Sequence, residues 1–173
     1  MMFKKTLFVL FYLLSIHSAM AIDFNFKGKL VEVPCQLFAG SEAQMVDLGV
    51  ADKNYLYRNK RSITHRFQIR LEQCDISIRK TLEIIFSGPE SIAQPGLLMP
   101  DMQLNSAEGI AVGLRFLDKD LPLGKSTGAL TLLSGTNVFN FTAFIQADPE
   151  AIKNKSIKEG LFNSTAQFSL IYP

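Results

Sequence analysis

The sequence predicts an all-β chain, an immunoglobulin-like sandwich of six core strands that stops short of its last one. Three observations carry this prediction. Apolar residues alternate at period two in several separate stretches. Turn residues punctuate those stretches at the spacing of a small sandwich. No stretch shows the apolar repeat of an amphipathic helix longer than a turn or two.

Residues 1–21 read as a targeting segment outside the fold. Lys4 and Lys5 give a positive start, Leu7 to Ile16 an apolar run, and Ala19-Met20-Ala21 a small-x-small cleavage site. The apolar run is shorter than the about 20 residues that span a membrane, so the expectation is export, not a membrane span. The mature chain then has 173 minus 21, or 152, residues, enough for one domain with a sizeable core. Cleavage removes two of the 18 basic residues and none of the 16 acidic ones, leaving 16 against 16 and no net charge. A generally basic, nucleic-acid-binding surface is not expected.

Residues 22–33 read as an extended segment with Phe24, Phe26, Gly28 and Leu30 on one face. It precedes the first cysteine, where a small sandwich has no obvious place for it. The domain proper is 34–173, beginning at Pro34-Cys35. Met45 to Leu48 reads as a short strand ending at Gly49, and Asp52 to Arg61 as a polar, basic loop. In the strand Ser62 to Cys74, Phe67, Ile69 and Leu71 face inward, with His65 at the same parity.

The strand Thr81 to Phe86, with Leu82, Ile84 and Phe86 on one face, stops at Ser87-Gly88-Pro89. Residues 89–108 form a long irregular connection with a short edge strand at Leu97 to Met99. Ile110 to Leu117 alternates again, and turns follow at Leu121-Pro122-Leu123-Gly124 and Ser134-Gly135. Val138 to Gln146 places Phe139, Phe141, Ala143 and Ile145 on one face. Asp148 as N-cap and Pro149 at the first helical position predict a single helical turn.

The final strand puts Ala166, Phe168, Leu170 and Tyr172 on one face, and the expectation is that no strand follows it. Its free N–H and C=O groups then lie beside an open apolar slot. One end of the mature chain lacks a strand and the other has one to spare. Pro173 has no N–H to donate, so the last rung of the ladder is expected to be weak.

Cys35 and Cys74 are expected to form a disulfide in an exported protein. The bridge closes a loop of about 40 residues, worth about 4 kcal/mol on the chain-entropy model. With the leader gone, one histidine remains, His65, and there is no CxxC pair, so no metal or other cofactor is expected. Catalysis is not expected either. The chain has no GxSxG or HExxH, and Asp118 and Asp120 flank Lys119 in what reads as a solvated corner.

A self-contained secreted binding module is an alternative of a different class. Tyr55, Tyr57, Arg58, Lys60 and Arg61 would be its ligand patch, set against the plainer reading of a solvated loop. The formal glycosylation sequons at Asn140, Asn154 and Asn163 read as chance.

The ordered set of features resembles the pilin subunits of the chaperone–usher pathway. The residues that carry the resemblance are Phe26-Lys27-Gly28-Lys29-Leu30 leading into Pro34-Cys35, and the strand bearing Phe67, Ile69, Leu71 and Cys74. Phe86-Ser87-Gly88 and the penultimate Tyr172 after Phe168 complete it. The match runs over essentially the whole mature chain.

The resemblance implies an immunoglobulin-like fold lacking its seventh strand. It implies a periplasmic chaperone that fills the groove with a strand of its own. At an outer-membrane usher, the N-terminal extension of a neighbouring subunit then replaces that strand. The product is an extracellular pilus that contributes to cell adhesion, not membrane-spanning and with no nucleic-acid partner. Carried over by position, Phe24, Phe26, Gly28 and Leu30 are donor residues, with Gly28 at a constriction of the groove. Ala166, Phe168, Leu170, Tyr172 and Pro173 form the acceptor groove and chaperone contact, above Phe67, Ile69 and Leu71. The chaperone is expected to grip the terminal carboxylate at Pro173. The length excludes a two-domain adhesin. A composition rich in Phe, Lys and Glu suggests a minor tip or adaptor subunit, with a major rod pilin as the alternative.

Overall fold

A computed structural model describes Lys27 and residues 32–173. The expected leader and the donor residues Phe24, Phe26, Gly28 and Leu30 lie outside the described residues. Most of the alternating stretches among the described residues form strands. The strands are β1 (Gln36–Leu37), β2 (His65–Cys74), β3 (Thr81–Ser87), β4 (Ile110–Phe116), β5 (Lys119–Asp120), β6 (Leu130–Thr131), β7 (Gly135–Ala147) and β8 (Gln167–Ile171). They build two antiparallel sheets, one ordered β1-β2-β7-β4-β5 and the other β6-β3-β8.

The long β2–β7 ladder sets the register of the core. Phe67 lies opposite Phe141 and Ile69 opposite Phe139. Ile69, Leu71, Leu82, Ile84 and Phe141 are almost wholly buried between the sheets. Phe141 stacks on Phe67 at 5.5 Å and meets Phe86 edge-on at 5.1 Å. Edge-to-face and offset pairs of this kind add about 0.5–1.5 kcal/mol beyond the area they bury. The Cys35–Cys74 disulfide is formed and ties the approach to β1 to the end of β2.

Two expected elements differ. Met45 to Leu48 is not a strand: Val46 and Leu48 point toward the core and Met45 and Asp47 toward solvent, but among the described residues no main-chain ladder joins them to a neighbour. The alternation was genuine and the pairing partner is what is missing. Asp52 to Arg61 is not a loop but mostly a helix, α1 (Lys53–Asn59). The Asp52 carboxylate caps it by accepting from the Tyr55 N–H at 2.7 Å. Leu56 anchors it in a second core cluster with Ile110, Ile145 and Ile157. Its short, mostly polar sequence hides that single buried contact.

The other expected elements among the described residues form with small changes of boundary. The predicted edge strand at 97–99 reduces to Leu98, which bridges both Glu90 and Val112. Helix α2 (Pro149–Lys153) starts where expected, with the Asp148 side chain accepting from the Glu150 N–H. Gly160 sits against the backbone of Asn105 to Ala107, and any Cβ there would overlap the Asn105 carbonyl.

Candidate functional site

The candidate site is the outer edge of β8. Strand β3 lies between β6 and β8, and hydrogen bonds on its far side fix which residues face which way. The Ile84 carbonyl accepts from Thr127 N–H at 3.0 Å, and the Phe86 carbonyl from Gly124 N–H at 2.8 Å. The even-numbered residues of β3 therefore turn away from β8, and Glu83, Ile85 and Ser87 turn toward it. Their partners in register are Ile171, Ser169 and Gln167. By alternation, Phe168, Leu170 and Tyr172 turn their N–H and C=O groups to the outer edge. Among the described residues, no strand pairs with that edge.

The same three residues turn their side chains inward. Phe168, Leu170 and Tyr172 are only half-buried, yet all pack against the main core cluster. Phe67, Val46 and Leu48 are half-buried against the same cluster. Ile69 and Leu71, at 1% and 0% exposure, are closed off inside that cluster. Ala166 is exposed just ahead of β8, and Pro173 is exposed just after it.

Segment 44–50 follows β2 without forming a ladder on it. The Gln44 side-chain amide donates to the Gln68 carbonyl at 2.7 Å, and the Ser41 hydroxyl accepts from Arg70 N–H at 3.0 Å. Farther along, Gly49 lies beside the His65 ring. Side chains therefore cover that part of the β2 edge, leaving the extended segment 44–50 outside any sheet.

Pro173 removes a rung on the β3 side of β8. Its parity matches Ile171 and Ser169, so the missing N–H belongs to the side facing β3. The N–H and C=O groups on the outer edge are unaffected by it.

The Tyr172 hydroxyl is a feature the sequence did not signal. Its oxygen is buried with no hydrogen-bond partner among the described residues. Burial pushes the phenol above its ordinary pKa.

The other candidate residues are engaged in structure. The Tyr57 hydroxyl accepts from Ile157 N–H at 3.1 Å, and Arg61 forks onto Asp120 with contacts of 3.1 and 2.8 Å. The five-residue patch at 55–61 is thus divided: Tyr57 is half-buried, Arg61 is exposed but paired with Asp120, and Tyr55, Arg58 and Lys60 face solvent. Asp120 also receives Arg115 at 3.3 Å, so it is an ion-pair partner at a hairpin. Among the described residues, no group of three or more His, Cys, Asp or Glu is placed to hold a metal, and no helix is long and apolar enough to cross a membrane.

Comparison with known proteins places this architecture. The family model described as "Fimbrial protein" matches residues 24–173. The fimbrial adapter PapK of Escherichia coli is 33% identical over 173 residues, covering 95% of each chain. The crystal structure of the P pilus rod subunit PapA superposes with a TM-score of 0.70 at 25% identity, covering 82% of this chain and 100% of that one. A subunit in the structure of a chaperone–usher pilus superposes with a TM-score of 0.69, also at 25% identity, covering 92% and 99%. The chain belongs to the fimbrial protein family and is a structural subunit of a chaperone–usher pilus.

Proposed function

We propose that this subunit is completed by a strand from another polypeptide, taken up along Phe168, Leu170 and Tyr172, and that its own residues 22–33 complete a neighbour. One observation carries the reading: unpartnered main-chain groups and half-buried apolar side chains belong to the same three residues of β8. A strand laid there gains hydrogen bonds from one set and pockets from the other. Phe24, Phe26 and Leu30 supply apolar side chains at matching period, each worth up to roughly 1.5–3 kcal/mol when buried. Gly28 passes a point where the groove has no room for a side chain.

The order of events in this reading begins with export directed by residues 1–21. A periplasmic chaperone then lends its own strand and grips the end of β8 near Pro173. At the outer-membrane usher, the extension of the next subunit replaces that strand. Nothing in this cycle requires catalysis: the subunit is structural and its chemistry is strand pairing.

Similarity to PapK across nearly the whole of both chains supports a minor adaptor role. The fit to the PapA rod subunit supports a second reading, a major rod pilin. Subunit stoichiometry in purified fibres separates the two: an adaptor is present at a few copies per fibre, a rod pilin at hundreds.

The strand-exchange reading is tested by two variants. Gly28→Arg is expected to keep chaperone binding and to lose attachment to the preceding subunit. Deletion of 166–173 is expected to abolish chaperone capture. Normal fibre incorporation of the first, or a stable chaperone complex of the second, overturns the corresponding assignment.

A further inference from the structure

We infer that the captured strand, not β3, holds Tyr172 in the sheet, because Pro173 ends the β3–β8 ladder one rung early. The inference rests on the acceptor-edge reading above. The ladder runs from Ser87 opposite Gln167 to Glu83 opposite Ile171 and goes no further, although β3 itself begins at Thr81. Continued in the same register, the next exchange of hydrogen bonds would join Thr81 to residue 173. One of the two bonds of that exchange needs an N–H at 173, which proline lacks.

Tyr172 sits between the last rung and the missing one. Its own N–H and C=O face the outer edge, so it gains no hydrogen bond from β3. Its side chain is half-buried, and its hydroxyl has no partner among the described residues. Among the described residues, apolar packing is thus its anchor. A strand arriving at the outer edge is the first main-chain partner Tyr172 meets, and it lengthens β8 by one residue. Ordering of that residue is part of the capture step. A proline at 173 therefore weakens capture at this end of the edge without removing any of the hydrogen bonds that capture makes.

The test compares wild type and Pro173→Ala as isotope-labelled full chains, with and without a synthetic peptide of residues 22–33. In wild type, Tyr172 is expected to show low 15N order parameters alone and rigid ones with peptide. In Pro173→Ala, the new amide at 173 pairs with Thr81, so Tyr172 is rigid in both states. That variant then binds the peptide roughly three- to ten-fold more tightly, since one residue is ordered beforehand. A wild-type Tyr172 already rigid without peptide, or a Pro173→Ala affinity equal to wild type, overturns this inference alone. If peptide fails to slow amide exchange at Phe168 and Leu170, the acceptor-edge reading falls and takes the inference with it.

Discussion

Phe168 on the outermost strand lies opposite Phe86 in the β3–β8 ladder, and the two rings are 6.2 Å apart with their planes at 54°. Phe86 is 3% exposed and touches Phe67 and Phe141, so it joins the open edge to the centre of the core. The edge strand is therefore coupled to the core through an aromatic that is itself well packed. This explains how β8 keeps its apolar face turned inward with one neighbouring strand among the described residues.

That coupling gives the first prediction. Phe86→Ala is expected to destabilise the fold by about 3–5 kcal/mol, as for a fully buried aromatic. Phe168→Ala removes a half-buried ring, and its cost is expected to be smaller, about 1–2 kcal/mol. Urea midpoints of the two variants decide the matter. Equal losses would show that the edge is already closed in the isolated subunit.

A second prediction concerns the outer face of the first sheet. Gly113 on β4 lies opposite Phe144 on β7, and a Cβ on Gly113 would overlap the Phe144 ring. The Arg61 guanidinium stands 4.7 Å from that ring's centre. Phe144 is 1% exposed although its parity points it away from the sandwich interior. Gly113→Ala is expected to cost about 1–3 kcal/mol through forced repacking. Adding Phe144→Leu should recover part of that loss, and a double-mutant cycle in urea measures the recovery. Additive losses would place the strain somewhere other than this ring.

The contrast between these two phenylalanines shows how far the sequence could be read. Phe168 and Phe86 follow from alternation alone, because period two assigns faces without knowledge of the neighbours. Phe144 does not: alternation puts it outside, and only the absent side chain of Gly113 and the reach of Arg61 bury it. Helix α1 was hidden for a related reason, since its one buried side chain, Leu56, gives no periodicity to detect. Segment 44–50 was legible as an alternating stretch but not as an unpaired one, because pairing depends on what lies beside it. Of the candidate site, the inward set Phe168, Leu170 and Tyr172 could be read directly. That their main-chain groups face the outer edge required hydrogen bonds made by Ile84 and Phe86 to residues some 40 positions away.

A third prediction follows from the disulfide. Cys35 and Cys74 are both buried in the main core cluster, so their bridge is shielded as well as tying β1 to β2. Replacing both with serine is expected to cost about 2–5 kcal/mol. The comparison is between urea midpoints of the double variant and of the oxidised wild type. Chemical reduction of the native protein should require partial unfolding first, so its rate should rise steeply with urea. Fast reduction in the absence of urea would contradict the burial.

The last prediction uses the Tyr172 phenol. Burial raises its pKa above the ordinary value of about 10. For an acid that is neutral when protonated, this means the folded state favours the neutral form. The associated stability is fully present below about pH 10 and is lost as pH rises through the raised value. Tyr172→Phe is therefore expected to lose less stability than wild type between about pH 9 and 11. Near neutral pH it should be as stable as wild type or slightly more so, because it buries no unpartnered hydroxyl. Urea midpoints for both proteins across that range provide the measurement. Parallel alkaline losses would mean that the phenol ionises freely in the folded chain and is not packed against the core.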